Sequence, residues 1–344
     1  MTIGSSVRRV VAGLVAGTLV ALVLPLSGTA QAADNGAWSA SPTQQGAFTA
    51  RQFFFIEAAQ GATVNDSITI KNASEDTLFL DVFPADAFNI ETGAGFALRK
   101  RGEVNEDVGS WVKVGKEKVE VPAGGEAKVP FSMTVPKGVT PGDHAGGIVT
   151  IEPPPVPNGD ASQVQIQRAL GVRVYVRVAG PLTPSLTITK VDLTLKPARL
   201  PFIGQQGGAT VTYTVRNTGN VRLTANRLIT LKGFIGQTLH DTGQGPIPEI
   251  LPGSTVTLTE SFAKMPVLNQ VTARVELTED RTQVSTAGDA NSWSISWVFF
   301  FLLLLLIIAL GGAFWWSRRE PEGLAGAPAD SGPAAPEVEQ VGQT

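Results

Sequence analysis

Val172-Arg173-Val174-Tyr175-Val176-Arg177-Val178 alternates valine with long polar or aromatic side chains. Successive side chains of a β-strand point to opposite faces of a sheet, so this spacing predicts a strand with its valines in a core. Arg173, Tyr175 and Arg177 would share the other face. The same period of two recurs across residues 53–280, with Gly, Pro and Asn between the alternating segments. Such segments are typical of half-buried antiparallel strands, so the chain is predicted to be all-β.

A weak internal repeat predicts two β-sandwiches in tandem. Ile68-Thr69-Ile70-Lys71-Asn72-Ala73-Ser74 resembles Tyr213-Thr214-Val215-Arg216-Asn217-Thr218-Gly219, and each copy is followed by a Pro-Gly-type turn and another alternating strand. The stretch 179–184 between the copies holds two prolines and a glycine, which favours a short, stiff connector. We therefore predict domains at 33–180 and 181–287, with an insertion in the first domain within 84–107.

A long uncharged stretch near the C-terminus predicts a membrane span. At about 1.5 Å per residue, a helix over residues 293–316 would rise roughly 36 Å, enough to cross a hydrocarbon core of about 30 Å with some tilt. Tryptophans near both ends suit the membrane interface, and Arg318 and Arg319 mark the cytoplasmic side. The prediction is a single-pass type I protein of the cell membrane with an extracellular segment before the helix. The tail 317–344 should be disordered in the cytoplasm.

Residues 1–32 form a predicted secretory signal peptide. Arg8 and Arg9 precede an apolar run at 10–26, and Ala30-Gln31-Ala32 fits the small-x-small cleavage rule. An uncleaved anchor helix is the alternative. The chain has no cysteine, so disulfides cannot stabilise the exported part. A net charge of -3 gives no reason to expect a nucleic-acid partner.

The sequence offers little for catalysis. Only His144 and His240 could serve as an imidazole base, and no Gly-x-Ser-x-Gly elbow is present. Zinc motifs and a complete dinucleotide fingerprint are also missing. We therefore predict a protein that is not an enzyme and uses no cofactor and no metal. A pair of carboxylates for glycoside hydrolysis, drawn from Asp81, Asp86 and Glu91, is the enzymatic alternative that the sequence leaves open.

The face formed by Arg173, Tyr175 and Arg177 is a candidate binding surface. Guanidinium groups bind carboxylates in a forked geometry and an aromatic ring stacks on sugars, so this face suits a carboxylate-bearing polymer. An ordinary solvated sheet face is the alternative. The basic run Arg99-Lys100-Arg101 in the insertion is either a solvated hairpin tip or a contact site.

Three further residues are candidates for ligand binding. Asp143 and His144 lie in the Gly-rich stretch 141–147, which is either a structural turn or a binding loop. Adjacent strand residues point to opposite faces, so these two are not expected to hold one ligand together. Trp111 is either an anchor in the core between two sheets or a stacking platform for a ring.

An ordered series of motifs carries a resemblance to a known family. Val108-Gly109-Ser110-Trp111-Val112 is followed by segments 119–125 and 129–136, by Pro141-Gly142-Asp143-His144-Ala145-Gly146-Gly147, and by segment 173–180. Over residues 38–180 this series resembles the DUF916 family, the peptidoglycan-binding domain of WxL-interacting proteins of Gram-positive bacteria. The resemblance implies an Ig-like β-sandwich on the cell surface, with a signal peptide before it and a single span at the C-terminal end. Residues 181–287 occupy the place of a second Ig-like domain.

These features predict a membrane-anchored binding or scaffold protein. Its partner would be peptidoglycan or a cell-wall-associated surface protein, contacted through the Ig-like domains. A chaperone-like assembly factor, which holds an exported protein along an exposed edge strand, is the first alternative. A glycan-active enzyme is the second.

Overall fold

Strands dominate the described part of the chain, which confirms the all-β prediction. The computed structural model describes residues 33–34, 36–44, 46, 51–154, 167–196, 207–265, 268–295 and 297–318. The predicted signal peptide 1–32 and residues 319–344 of the predicted tail 317–344 lie outside the described residues. So do residues 155–166 and 197–206.

Two sheets form an N-terminal module between residues 33 and 178. Its elements are β1 (Ala33–Asp34), β2 (Trp38–Pro42), β3 (Phe54–Ala58), β4 (Thr63–Asn72), β5 (Leu78–Asn89), β6 (Phe96–Leu98), α1 (Val108–Trp111), β7 (Val112–Val114), β8 (Lys118–Val121), β9 (Glu126–Thr134), β10 (Gly142–Ile151) and β11 (Ala169–Val178). The strand order is β1-β2-β4-β9-β7 in one sheet. It is β3-β11-β10-β5-β6 in the other, with β8 beside β5.

Two further sheets form a C-terminal module. Its elements are β12 (Leu186–Lys196), β13 (Gly207–Asn217), β14 (Asn226–Lys232), β15 (Thr238–Asp241), β16 (Gly245–Pro246), β17 (Thr255–Met265), β18 (Leu268–Glu279) and β19 (Val284–Ile295). One sheet has the order β12-β13-β17. The other has the order β15-β14-β18-β19, with β16 beside β14.

Each module has its own hydrophobic core, built by the alternating residues of both its sheets. In β11 the four valines of the period-two stretch are at most 2% exposed, as the alternation predicted. Trp38 is fully buried in the same core, and its indole N–H donates to Thr150 Oγ1 at 3.0 Å. Burial of an apolar side chain contributes about 1.5 to 3 kcal/mol, so these cores provide the stability that disulfides cannot.

The internal repeat corresponds to a shared turn structure. Asn72 ends β4, and its amide donates to the carbonyls of Val121 and Pro122 at 3.0 Å. Asn217 ends β13 in the same way and donates to the carbonyls of Val221 and Ile250 at 2.8 and 3.0 Å. Each asparagine therefore ties the end of a strand to the turn that precedes the next one, which explains why asparagine occurs in both copies.

The C-terminal end differs from the prediction in its boundaries. β19 continues to Ile295, so the predicted limits at 287 and 293 both fall inside a strand. Trp293, expected as the first residue of the membrane helix, pairs with Gln270 on β18. The apolar helix is α2 (Trp297–Ser317), whose 21 residues span about 31 Å at about 1.5 Å each. This helix is long and apolar enough to cross a membrane.

Candidate binding site

The predicted binding residues all lie on three neighbouring elements of the N-terminal module. They occupy α1, β10 and β11: Trp111, Asp143, His144, Arg173, Tyr175 and Arg177. These side chains separate into three groups with different surroundings. One group faces the C-terminal module, one packs around α1, and Arg173 borders an open groove beside the segment 96–101.

Tyr175 is buried at the junction between the two modules. It is 2% exposed, and its hydroxyl donates to Glu249 Oε2 at 2.7 Å. Glu249 also pairs with Arg222, whose guanidinium carbon lies 4.1 Å from the centre of the Tyr175 ring. Burial, followed by the contact with Glu249, raises the pKa of Tyr175 to about 12. The expectation of an exposed face at Tyr175 is therefore corrected, because side chains from the C-terminal module cover it.

Arg177 and Asp143 form a two-pronged ion pair next to Tyr175. Arg177 Nε lies 2.6 Å from Asp143 Oδ1, and Nη2 lies 2.8 Å from Oδ2. Asp143 is 6% exposed, and its Oδ2 also accepts the backbone N–H of Arg222 at 3.0 Å. The hydrogen bond to Asp143 raises the pKa of Arg177 above its usual range. Both predicted binding residues are thus engaged in holding the modules together.

Gly142 permits this close approach of the two modules. Its φ of 122° lies in a region that favours glycine. A Cβ placed there would lie 2.3 Å from the carbonyl oxygen of Asn220. The Asn220 side chain in turn donates to the carbonyls of Pro141 and Pro181 at 2.9 Å. The stretch 141–147, predicted as a structural turn or a binding loop, is therefore corrected: residues 142–147 begin strand β10, and its first residue is a docking point for the C-terminal module.

His144 links β10 to α1. Its Nδ1 lies 2.8 Å from Asp107 Oδ1, and its Nε2 lies 2.9 Å from the Thr140 carbonyl oxygen. Both partners are acceptors, so the site suits the imidazolium form, which donates from both nitrogens. Burial lowers the pKa of His144, but the hydrogen bonds and the charges of Asp107 and Asp143 outweigh this, and the net pKa is raised from 6.5. The Trp111 ring, 5% exposed, lies 4.9 Å from the imidazole.

A hairpin from the predicted insertion also locks the modules together. The Asn89 side chain donates to the Glu249 carbonyl at 2.8 Å and accepts the Leu251 N–H at 2.8 Å. Gly93 N–H donates to the Thr257 carbonyl at 2.9 Å, and the Thr257 N–H donates to the Glu91 carbonyl at 2.6 Å. Ala94, at the hairpin tip, is 1% exposed and packs in the core of the C-terminal module.

The same insertion builds one wall of an open groove on the N-terminal module. The groove has a volume of about 710 Å³ and lies between the segment 96–101 and the strands β10 and β11. Its apolar floor includes Phe83, Phe96, Leu98, Val149 and Leu170. Its rim carries four cationic side chains: Arg99, Lys100, Arg101 and Arg173. We call this feature the basic groove.

Two glycines fix the wall of the basic groove. A Cβ on Gly147 or Gly171 would lie 2.6 or 2.5 Å from Leu98 Cδ1. Both glycines are interior residues of paired strands, β10 and β11, and glycine there leaves a flat area on the sheet. Leu98 lies in this flat area and thereby holds the basic run that follows it against the sheet.

The charge of the basic groove is only partly compensated. Arg101 pairs with Asp81, and Arg99 Nε lies 4.0 Å from Asp86 Oδ2. Arg173 lies over the Phe96 ring, with its guanidinium carbon 4.3 Å from the ring centre. The backbone N–H of Lys100 donates to Glu103 Oε2 at 3.0 Å, but among the described residues no carboxylate lies within 4.0 Å of the Lys100 ammonium or the Arg173 guanidinium. The groove therefore combines an apolar floor with available cations, which suits an anionic ligand with an apolar part.

Two of the three carboxylates considered for hydrolysis, Asp86 and Asp81, have structural contacts instead. Asp86 is 5% exposed and accepts the backbone N–H groups of Glu106, Asp107 and Gly109 at 2.6 to 3.0 Å. Asp81 pairs with Arg101. No cluster of three or more His, Asp or Glu side chains that could hold a metal occurs among the described residues.

No protein-family model matches this chain, and the search of curated proteins returns no match. Among solved structures, the CupB2 chaperone of Pseudomonas aeruginosa is 13% identical over 71% of this chain and 97% of its own, with a TM-score of 0.29. The CsuC–CsuE complex from the chaperone-usher Csu pili of Acinetobacter baumannii is 12% identical over 60% of this chain and 85% of that chain, with a TM-score of 0.32. At these TM-scores the likenesses support no conclusion about function.

The junction residues of the C-terminal module carried no signal in the sequence. Arg222 and Glu249 lie in irregular segments that are distant in sequence from Tyr175. Only the tertiary fold brings them into contact with it. The basic groove had a partial signal. The basic run 99–101 is either a hairpin tip or a contact site by sequence alone, and a glycine inside a strand often marks the close approach of another segment.

Proposed function

We propose that this protein is a membrane-anchored, non-enzymatic binding protein of the bacterial cell surface. It displays two tandem Ig-like β-sandwiches outside the cell on a single type I span, α2, as the resemblance to the DUF916 family implies. Its ligand is an acidic component of the cell wall, with peptidoglycan or a wall-associated protein as the source. The supporting observation is the basic groove, whose cations surround an apolar floor.

Peptidoglycan binding through this groove has a direct test. The full-length protein in nanodiscs is mixed with purified cell-wall sacculi and sedimented, and the bound fraction is measured. The triple variant Arg99→Ser, Lys100→Ser, Arg173→Ser should lose most of the binding, because guanidinium and ammonium groups at the groove rim would contact the carboxylates.

A second triple variant separates the groove from general electrostatic attraction. Lys71, Lys113 and Lys128 are exposed on the other sheet of the same module. Their replacement by serine changes the net charge by the same amount and should leave sedimentation unchanged. Equal losses in both variants would show attraction without a site, and full binding by the groove variant would contradict the proposal.

An assembly role for exported proteins is a second candidate, favoured by one edge strand. Among the described strands, β17 pairs only with β13. The N–H of Thr257 donates away from β13, to the Glu91 carbonyl, so by alternation the N–H groups of Thr259 and Ser261 face the open side. A strand from a partner can add along this edge.

This edge can be blocked without damage to the fold. Ser261→Pro removes an outward N–H but no hydrogen bond to β13, and proline is tolerated on an edge strand. In the assembly role, the full-length variant should lose a stoichiometric exported partner from membrane extracts, while Ser261→Ala keeps it. Recovery of the same partner with both variants would exclude this edge.

A further inference from the structure

Two large apolar side chains are mostly exposed at the tip of the hairpin between β14 and β15. Phe234 is 72% exposed and Ile235 is 80% exposed. The turn is well formed, because the Gly233 N–H donates to the Gln237 carbonyl and the Gly236 N–H to the Gly233 carbonyl, each at 2.9 Å. A fixed turn that presents adjacent large apolar residues indicates a contact surface.

The tip points toward the end of the module where α2 begins. β14 and β19 are both antiparallel to β18, so they run in the same direction. Lys232 of β14, Thr272 of β18 and Asn291 of β19 lie in one row. Beyond that row, β14 leads to the hairpin tip and β19 leads to α2. The tip is therefore level with Trp293, which is 57% exposed.

Exposed lysines surround this end of the module. Lys196 pairs with Gly208 at the end of β12, and Lys264 lies one residue before the end of β17. β17 leads through two residues into the start of β18, which pairs with the end of β19. With Lys232, these lysines give three exposed cations on strand ends that face the same way. They suit an anionic surface.

We propose that the Phe234–Ile235 tip, with Lys196, Lys232 and Lys264, forms a second contact with the membrane. Its occupant is the headgroup layer of an anionic lipid bilayer. At about 3.3 Å per strand residue, the tip lies roughly 10 Å from the start of α2. The headgroup layer is roughly 5 to 8 Å thick, so a modest tilt of the module brings the tip into this layer. The proposal rests on the proposed anchorage by α2. The contact would fix the orientation of the module on the membrane.

Single-cysteine labelling tests this contact, because the chain has no cysteine of its own. The full-length variant Ile235→Cys carries an environment-sensitive fluorophore and is reconstituted into vesicles with anionic lipid. Lipids with nitroxide headgroups should quench this probe strongly, and its emission should shift to the blue. Lys196→Gln, Lys232→Gln and Lys264→Gln together should reduce the quenching, as should vesicles without anionic lipid.

Two reference positions separate the possible outcomes. Ser285→Cys lies at the opposite end of β19 and should show no quenching, whereas Leu305→Cys within α2 should be quenched by deep nitroxides. Quenching at residue 305 without quenching at 235 overturns the membrane contact and leaves the anchorage intact. A blue shift at 235 in vesicles without quenching by the nitroxide headgroups indicates a protein partner or a second copy and also overturns it. If residue 305 is not quenched, the anchorage itself fails.

Discussion

At the scale of single residues, His144 is expected to make stability depend on pH. Its folded pKa is raised from 6.5, so its stabilising contribution is complete below 6.5 and is lost as the pH rises through the folded value. The free energy of unfolding, from denaturant titrations at several pH values, should therefore fall over this range in the wild type. His144→Gln should flatten that part of the profile, while His240→Gln should keep it. Parallel profiles for all three proteins would contradict the prediction.

The two tyrosines of the chain should both ionise at a higher pH than an exposed tyrosine. Burial raises the pKa of Tyr175 and of Tyr213 to about 12 in each case. Absorbance at alkaline pH should show almost no tyrosinate near the usual value of 10 while the protein is folded. The neutral phenols stabilise the fold below 10, and this contribution is lost as the pH rises toward 12.

A single substitution should separate the two titrations. Glu249→Gln removes a charge that raises the pKa of Tyr175, so its titration should move below that of Tyr213, which has no contact with Glu249. Tyrosinate that appears with a midpoint near 10 in the folded wild type would show that these phenols are accessible to water.

At the scale of elements, the wall of the basic groove depends on the flat area below Leu98. Gly171→Val should displace Leu98 and cost about 1 to 3 kcal/mol, since extra atoms in a packed site strain their neighbours. Denaturant unfolding measures this loss of unfolding free energy. Binding to sacculi should also fall, because the displaced Leu98 alters the wall of the basic groove.

A double variant shows whether Leu98 is responsible. Leu98→Ala makes room for the new side chain, so the cost of Gly171→Val should be smaller in the Leu98→Ala background than in the wild type. If the losses in unfolding free energy from Gly171→Val and Leu98→Ala simply add in the double variant, Leu98 does not lie against Gly171 in solution.

Most strands were predictable from the sequence because their apolar residues alternate. The four valines of the stretch 172–178 lie in the core as expected, and the shared Asn72 and Asn217 turns mark the same point in each module. β19 was missed beyond residue 287, because Ser, Thr, Ala, Gly, Asp and Asn give it no apolar alternation. The junction was missed for another reason. A sheet face covered by a neighbouring module reads the same, in sequence, as one covered by water or by a ligand.

At the scale of the whole molecule, the modules should unfold together. Asn89 bonds two backbone groups of the C-terminal module, and Arg222 and Glu249 close over Tyr175. Calorimetry of the full-length protein in detergent should show one cooperative transition for the β-structure. Asn89→Ala should weaken the coupling and separate the transition into two.

The same experiment needs a control for general destabilisation. Asn65→Ala alters an interior residue of β4, away from the junction, and should leave a single transition. Two transitions in the unmodified protein would show that the modules are already independent and that the junction contributes little to stability.

The embedding of residues 89–95 in the C-terminal module also constrains the order of folding during synthesis. Asn89 leaves the ribosome long before Glu249, its partner 160 residues downstream. Until Glu249 emerges, Asn89 lacks its hydrogen-bond partners in the C-terminal module, and Ala94 lacks the core in which it is buried in the folded protein. Nascent chains should therefore remain sensitive to proteases until translation has nearly reached the apolar helix, and maturation would coincide with arrival at the bilayer.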